Sequence, residues 1–307
     1  MKKDYERIGV KISIAGSLLL ALSAIVMALI AESQAILLDG LYTIITLVMA
    51  FISLKVIDLV ETPESSSRPF GYMSLEPFLN FAKSLVLLSL MLAFLITNIQ
   101  VLTTGGRIIA LDMTMLYILI CLVIYAVIIF FLRRYRNKTK SSILALETKT
   151  WYIDALLTLG IAVSLAIAMA LYRMGYTKIL PYIDPTIVII LVVVSLPVPL
   201  KVFIVEIKRL LLLSPENDIE VDVKNHLKDL MSKYGLINTR VWGLKGGRTY
   251  YLFIYCSLKE EQTSVAHLDE IRAAVFKELS TLYDKFWADI MFTGIDPETS
   301  YTEVMKL

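Results

Sequence analysis

Two aspartates lie inside segments that otherwise resemble membrane-spanning helices. Asp39 belongs to ILLDGLYTIITLVMAF, residues 36–51, and Asp154 belongs to TWYIDALLTLGIAVSLAIAMAL, residues 150–171. A charged side chain at bilayer depth costs about 2.5–3.5 kcal/mol on insertion scales, so each carboxylate needs a partner or a function. Carboxylates that face each other across a water-accessible cavity can bind a cation and exchange it for protons. The two aspartates therefore suggest cation binding within the membrane.

Further polar side chains accompany both aspartates at helical spacing. Thr43 follows Asp39 by one turn, and Thr150 precedes Asp154 by one turn. Glu147 lies nearly a turn before Thr150 on the same face. These two stripes should point into a helix bundle, because polar groups avoid lipid.

The third apolar segment begins with another polar stripe. Its first residues, LEPFLNFAKSL, place Glu76, Asn80 and Lys83 on one helical face. Lys83 leaves two interpretations open for Asp39 and Asp154. The aspartates could pair with Lys83 or with helix ends as buried structural groups, or they could bind a cation. In the second case Lys83 could neutralise the site or serve as a counter-ion that engages alternately.

The elements that would position these residues are six apolar segments. The chain has 307 residues, of which 57% are hydrophobic, against about 45–50% in an average soluble domain. The excess is concentrated in runs near the roughly 20 residues that cross a bilayer. These runs cover residues 9–31, 36–60, 77–103, 110–132, 151–172 and 184–206. An α-helical membrane protein with a six-helix transmembrane bundle over residues 1–212 is predicted.

The distribution of basic residues predicts the orientation. Lysines and arginines are concentrated in the N-terminal segment, in RRYRNKTK between the fourth and fifth runs, and after the sixth run. The positive-inside rule then places both termini in the cytoplasm of a multi-pass protein. The compact loops suggest the cell (cytoplasmic) membrane. The formal net charge of +2 argues against a nucleic-acid partner.

Residues 213–307 have a different pattern, that of a soluble α+β domain. An amphipathic helix over 218–234 precedes two β-rich stretches separated by KGGR, a second helix and a third strand. The order αββαβ predicts a cytoplasmic ferredoxin-like, or metallochaperone-like, domain. Its strands are unusually aromatic, so one sheet face is expected to pack on a second copy and to form a homodimer.

The sequence argues against an enzyme. It contains two histidines, His226 and His267, each on a predicted helix of the C-terminal domain. They cannot assemble a Ser/His/Asp or Cys/His set with the membrane segments, and KGGR is too short for a phosphate-binding loop. Neither histidine is expected to bind metal, and no cofactor is predicted.

Four segments resemble the cation diffusion facilitator family. They are LLDGLYT in the second run, RPFGYMSLEP over 68–77, WYIDALLTLG in the fifth run and YIDPTIVIILVVV in the sixth. A cytoplasmic αββαβ domain also follows the membrane domain in that family. The resemblance implies a homodimer that exports divalent cations from the cytoplasm, usually in exchange for protons.

The resemblance also implies a transport site. In the family, this site takes one pair of ligands from the second span and one from the fifth, which correspond here to Asp39 with Thr43 and to Thr150 with Asp154. Two threonines therefore stand at ligand positions. Oxygen ligands without histidine suit Mn²⁺ or Mg²⁺ better than Zn²⁺, and Fe²⁺ remains a further candidate cargo.

Other side chains could complete or change this site. Glu147, Glu76 and Tyr42 could add oxygen ligands if the geometry permits. Two alternatives to metal export also follow from the threonines and from the scarcity of histidine. The chain could be a transport-inactive partner of an active paralogue, or it could carry protons or an organic cation with the help of Lys83.

Overall fold

A computed structural model of the chain describes residues 2–31, 34–60, 62, 65–68, 70–106, 111–139, 141–213, 218–258 and 263–294. The chain divides into two compact units, Met1–Ile204 and Val205–Leu307. The first unit holds most of the long apolar helices, and the second holds a small β-sheet with its helices.

Six helical segments among the described residues are long and apolar enough to cross a membrane. They are α1 Lys2–Ala31, α2 Gln34–Val60, α3 Leu75–Thr103, α4 Leu111–Thr139, α5 Ser142–Arg173 and the successive helices α6 Leu180–Ser195 and α7 Pro197–Leu210. The predicted six-helix membrane bundle is confirmed. The end of the bundle at which α1, α3 and α5 begin is called the proximal end.

Two of the differences between the helix bounds and the predicted runs have local causes. Helix α5 begins at Ser142, about nine residues before the predicted start, because the Ser141 hydroxyl accepts a hydrogen bond from the Leu144 N–H at 3.2 Å. The first turns of α5 are too polar for a hydropathy pattern to detect. The sixth segment is divided before Pro197, a residue whose ring removes a backbone donor. Because α5 begins as early as Ser142, Glu147, Thr150 and Asp154 share one continuous helix.

The bundle is packed in two apolar clusters. Helix α1 contacts α2 and α4, while α6 contacts α3 and α5. Val10, Ile57 and Leu132 are fully buried in the first cluster, and Met91 and Val192 are buried in the second. Large apolar side chains also cover the outside of the unit, as shown by the 76% exposure of Leu29 and the 63% exposure of Phe130. This apolar exterior suits hydrocarbon as the surrounding solvent.

A glycine closes the turn that follows α3. The Gly106 N–H donates to the Val101 carbonyl at 2.8 Å, and its φ of +86° lies in the left-handed region. A β-carbon at this position would stand 2.5 Å from the carbonyl oxygen of Pro181, in the first turn of α6. The end of α3 and the start of α6 therefore approach through a residue that has no side chain.

The second unit has the predicted αββαβ order. It consists of α8 Asp218–Lys233, β1 Leu236–Gly246, β2 Thr249–Leu258, α9 Val265–Leu282 and β3 Phe286–Thr293. Strands β1 and β2 form an antiparallel hairpin, while β2 and β3 pair in parallel across the α9 crossover. The predicted three-stranded α+β domain is confirmed. Its core joins one sheet face to the helices through Leu252, Ile254, Ile271 and Leu279, which are all fully buried.

The opposite sheet face is aromatic. Trp242 of β1 packs edge-on against Tyr255 of β2, with ring centroids 5.2 Å apart. Phe253 of β2 packs in the same way against Trp287 of β3 at 5.9 Å. Since side chains alternate along a strand, these rings point away from the buried core formed with α8 and α9. The two tryptophans remain 36% and 41% exposed.

Candidate functional site

Asp39 of α2 is held by a tyrosine of α4. The buried Tyr117 hydroxyl donates a hydrogen bond to Asp39 Oδ2 at 2.5 Å. The next residue, Gly40, faces α1 so closely that a β-carbon there would lie 2.9 Å from the Ala24 Cβ atom. The missing side chain lets α2 approach α1, and the charge-assisted bond from Tyr117 fixes the carboxylate against α4.

Asp154 of α5 lies close to the same face of α4 that binds Asp39. Tyr117 of α4 contacts Asp39, and Tyr125, two turns later on α4, packs edge-on against Trp151, three residues before Asp154. The structure therefore places both aspartates on helices that contact α4, although 115 positions separate them in the chain, and their convergence on one cation stays a prediction. Two neighbouring negative charges inside an apolar bundle attract a cation far more strongly than they would in water.

The two threonines direct their hydroxyl protons to their own helices. Thr43 Oγ1 donates to the Asp39 carbonyl at 2.9 Å, and Thr150 Oγ1 donates to the Leu146 carbonyl at 3.1 Å. Each hydroxyl oxygen keeps lone pairs with which it can accept or coordinate. Both threonines can thus offer neutral oxygen ligands while their protons remain engaged.

Glu147 and Lys83 form an ion pair between α5 and α3. Lys83 Nζ donates to Glu147 Oε1, and both side chains are more than nine-tenths buried. The second carboxylate oxygen of Glu147 accepts a hydrogen bond from Ser13 of α1 at 3.0 Å. Ser13 Oγ in turn accepts from Trp151 Nε1 at 2.8 Å. Lys83, Glu147, Ser13 and Trp151 are together called the polar chain.

Glu76 and Tyr42 make contacts with other residues. Glu76 accepts a hydrogen bond from the Ser142 hydroxyl, and Asn80 donates to the same hydroxyl oxygen at 2.9 Å. Ser142 precedes Asp154 by twelve residues, or about 18 Å along the helix, so Glu76 belongs to the proximal end. Tyr42 packs edge-on against Phe94 of α3, with ring centroids 5.6 Å apart.

A comparison with family models settles the family of the chain. The model of the cation efflux transmembrane domain matches residues 10–211, which is well over half of the sequence. The chain belongs to the cation efflux family. The predicted resemblance is confirmed, and with it the prediction that the protein is a transporter rather than an enzyme. A search of curated proteins gave no match.

This cation efflux protein lines its candidate site with residues of α4 that the sequence analysis did not single out. Tyr117, Cys121 and Tyr125 follow one another at intervals of four and form one stripe. Tyr125 packs edge-on against Trp151 of α5, with ring centroids 5.7 Å apart. The sequence feature that could have identified this stripe is a pair of tyrosines on one face of an otherwise apolar helix.

Strong metal ligands do not cluster in the part of the chain that the structure describes. Among the described residues, no group of three or more histidine, cysteine, aspartate or glutamate side chains could hold a metal ion. In the second unit, His226 Nδ1 lies 2.9 Å from the Asp222 carbonyl oxygen, and His267 Nδ1 lies 3.7 Å from Glu270 Oε2.

We expect Tyr117→Phe to lower cation transport about tenfold, because it removes a charge-assisted hydrogen bond to a buried carboxylate. The measurement is the initial rate of cation flux in proteoliposomes, with Tyr172→Phe as the control. Tyr172 is 65% exposed near the end of α5, so its hydroxyl should be dispensable. Equal rates for Tyr117→Phe and the wild type would show that Tyr117 does not position Asp39 for transport.

Proposed function

We propose that the protein exports a divalent metal cation across the cell membrane by proton antiport. Asp39 and Asp154 would supply the anionic ligands, and Thr43 and Thr150 the neutral oxygens. The single observation that carries this proposal is that α4 contacts both helices beside the aspartates, since Tyr117 donates to Asp39 and Tyr125 packs against Trp151, three residues before Asp154. A divalent cation compensates their two negative charges, and two protons would do the same after its release.

The proposed transport cycle requires rigid helices and two conformations of the bundle, each open to one side of the membrane. Protonation of the aspartates on one side of the membrane would release the cation, and loss of the protons on the other side would restore the site. Rocking of helices around a fixed binding site exposes it alternately to the two sides in many secondary transporters. The threonine hydroxyls stay bonded to their own helices and travel with them.

The ligand chemistry favours a hard cation as the cargo. Zn²⁺ prefers imidazole and thiolate alongside carboxylate, whereas Mn²⁺ and Mg²⁺ accept carboxylate, hydroxyl and water oxygens. A site of two carboxylates and two hydroxyls matches the second group. We therefore propose Mn²⁺ or Mg²⁺ ahead of Zn²⁺ and Fe²⁺.

The direction of transport depends on the orientation of the bundle. The last turn of α4 contains Arg136 and Lys138, and the last turn of α7 contains Lys208 and Arg209. These basic turns lie where α4 and α7 end, which the positive-inside rule assigns to the cytoplasm. We propose that both termini are cytoplasmic and that the cation leaves from that side.

We also propose that the protein works as a homodimer. The aromatic sheet face that carries Trp242 and Trp287 supports this proposal, because tryptophan is enriched at protein interfaces and both rings are partly exposed. Light scattering on the purified, detergent-corrected particle should give twice the mass of the chain. A particle with the mass of one chain would contradict the dimer.

The transport proposal is tested with purified protein in liposomes that contain a pH-sensitive dye. Mn²⁺, Mg²⁺, Zn²⁺ and Fe²⁺ are added one at a time outside the vesicles. We expect cation entry coupled to proton exit with at least one of them, and no response in protein-free vesicles. Flux without proton movement would contradict antiport. The absence of flux for every cation would instead favour a transport-inactive partner or a carrier of another substrate.

A further inference from the structure

A lysine–glutamate pair inside an apolar bundle is costly to build. Lys83 and Glu147 retain exposures of only 9% and 8%, and they join α3 to α5. Removing two charges from water carries a desolvation cost that their mutual attraction repays only when the geometry and the surrounding hydrogen bonds are good. A pair of apolar residues would fill the same space without that cost, so the pair invites a functional explanation.

The remaining hydrogen bonds of Glu147 fix its direction. Ser13 donates to Glu147 Oε2 at 3.0 Å, so both carboxylate oxygens are engaged, one by Lys83 and one by α1. The Ser13 oxygen also accepts from Trp151 at 2.8 Å. This polar chain holds the Glu147 carboxylate toward α1 and α3.

Glu147 is nevertheless close enough to the cation site to affect it. It precedes Asp154 by seven residues, which is about two turns or 10 Å along α5, and it lies on nearly the same face. Asp154 in turn is linked to Asp39 through α4, where Tyr117 contacts Asp39 and Tyr125 packs against Trp151. Three carboxylates therefore act on one region of the bundle, and one of them is compensated by Lys83.

We propose that Lys83 determines the charge of the cation site by binding Glu147. With Lys83 in place, Asp39, Asp154, Glu147 and Lys83 together carry two negative charges, which match one divalent cation. Without Lys83 the same region carries three, and Glu147 is released from its partner. Lys83 and Glu147 are then positioning residues that set cation affinity and do not themselves bind the cation. This inference rests on the proposed function of the Asp39–Asp154 site.

The inference predicts opposite effects for the two halves of the pair. Lys83→Met removes a positive charge and should tighten Mn²⁺ binding at least about tenfold. Glu147→Gln leaves Lys83 without a compensating charge and should weaken Mn²⁺ binding by a similar factor. The double variant restores two net negative charges and should return to within about threefold of the wild type. Calorimetric titration of the purified full-length protein with Mn²⁺ measures all four dissociation constants.

Changes of Mn²⁺ affinity in opposite directions distinguish this role from a purely structural one. If the pair only holds α3 to α5, both single variants should lower the melting temperature and change Mn²⁺ affinity in the same direction or not at all. A change of Mn²⁺ affinity in the same direction for both single variants, or no change for either, would overturn the inference. Lys83→Arg keeps the charge and should bind Mn²⁺ like the wild type, and Glu147→Gln supplies an independent test if Lys83→Met does not fold.

A second interhelical pair supplies the matched control. Arg7 of α1 pairs with Asp58 of α2, and both side chains are about 40% exposed. Arg7→Gln should leave the Mn²⁺ dissociation constant unchanged, because solvent screens that charge.

The titrations also distinguish failure of this inference from failure of the proposed function. Suppose that the wild type binds Mn²⁺, that Asp154→Asn does not, and that Lys83→Met has the affinity of the wild type. The charge-setting role of Lys83 then fails and the proposed function stands. If the wild type binds no Mn²⁺, both fail.

Discussion

Asp154→Asn should reduce cation flux in proteoliposomes at least about 100-fold, because one of the two charges that attract the cation disappears from a low-dielectric site. The substitution preserves the shape of the side chain, so packing around α5 should change little. Asp39 alone would leave a single negative charge beside a divalent cation. The initial rate of Mn²⁺ or Mg²⁺ entry, compared with that of the wild type at the same protein density, measures the effect.

Asp58→Asn is the control for this carboxylate substitution. Asp58 lies in α2, the helix that also carries Asp39, but its side chain is 41% exposed and pairs with Arg7. We expect its flux to stay within about twofold of the wild type, since exposed ion pairs contribute little. If Asp154→Asn also transports at the wild-type rate for every cation that the wild type carries, Asp154 is not a ligand.

Gly106→Ala should lower the free energy of unfolding of the membrane unit by about 3–5 kcal/mol. The left-handed conformation at φ +86° costs a residue with a side chain about 1–2 kcal/mol. The added β-carbon would also stand 2.5 Å from the backbone of Pro181, where no side-chain rotation can relieve the contact. Unfolding in mixed micelles by a denaturing detergent measures the change.

Gly175→Ala distinguishes the conformational cost of Gly106→Ala from its steric cost. Gly175 follows α5 with a φ of +85°, almost the same as that of Gly106, and a β-carbon there would meet no atom within 4 Å. This variant should therefore lose only the conformational part, about 1–2 kcal/mol. Equal losses for the two variants would show that the approach of α3 to α6 at Gly106 is not tight.

The elements of the fold were predictable because each has a local signal. Hydropathy runs indicated the spans, and the alternation between helical and strand patterns indicated the αββαβ unit. The polar start of α5 was missed because the capping hydroxyl of Ser141 is a local hydrogen bond that hydropathy does not register. The division of the sixth span before Pro197 was missed for a similar reason, since the apolar run continues across it.

The candidate site was predictable only in part. Asp39 and Asp154 interrupt apolar runs, so the sequence identifies them and the family resemblance pairs them. The partner of Lys83 was left open, because Glu147 lies 64 positions away and helical spacing relates only residues on one helix. Tyr117 was overlooked because nothing in the sequence relates it to Asp39, which lies 78 positions earlier and contacts it only in the folded bundle.

The threonine hydrogen bonds bear on how such a site can evolve. Thr43 and Thr150 are each tied to a carbonyl of their own helix, and each stands four residues from an aspartate. The spacing between the two candidate ligands of each helix is thus a property of the helical backbone and does not depend on which side chain occupies the position. Substitution of residue 43 or 150 can replace a hydroxyl by imidazole or carboxylate without rebuilding the scaffold. Ion preference in this architecture can therefore diverge between descendants while the bundle itself is conserved.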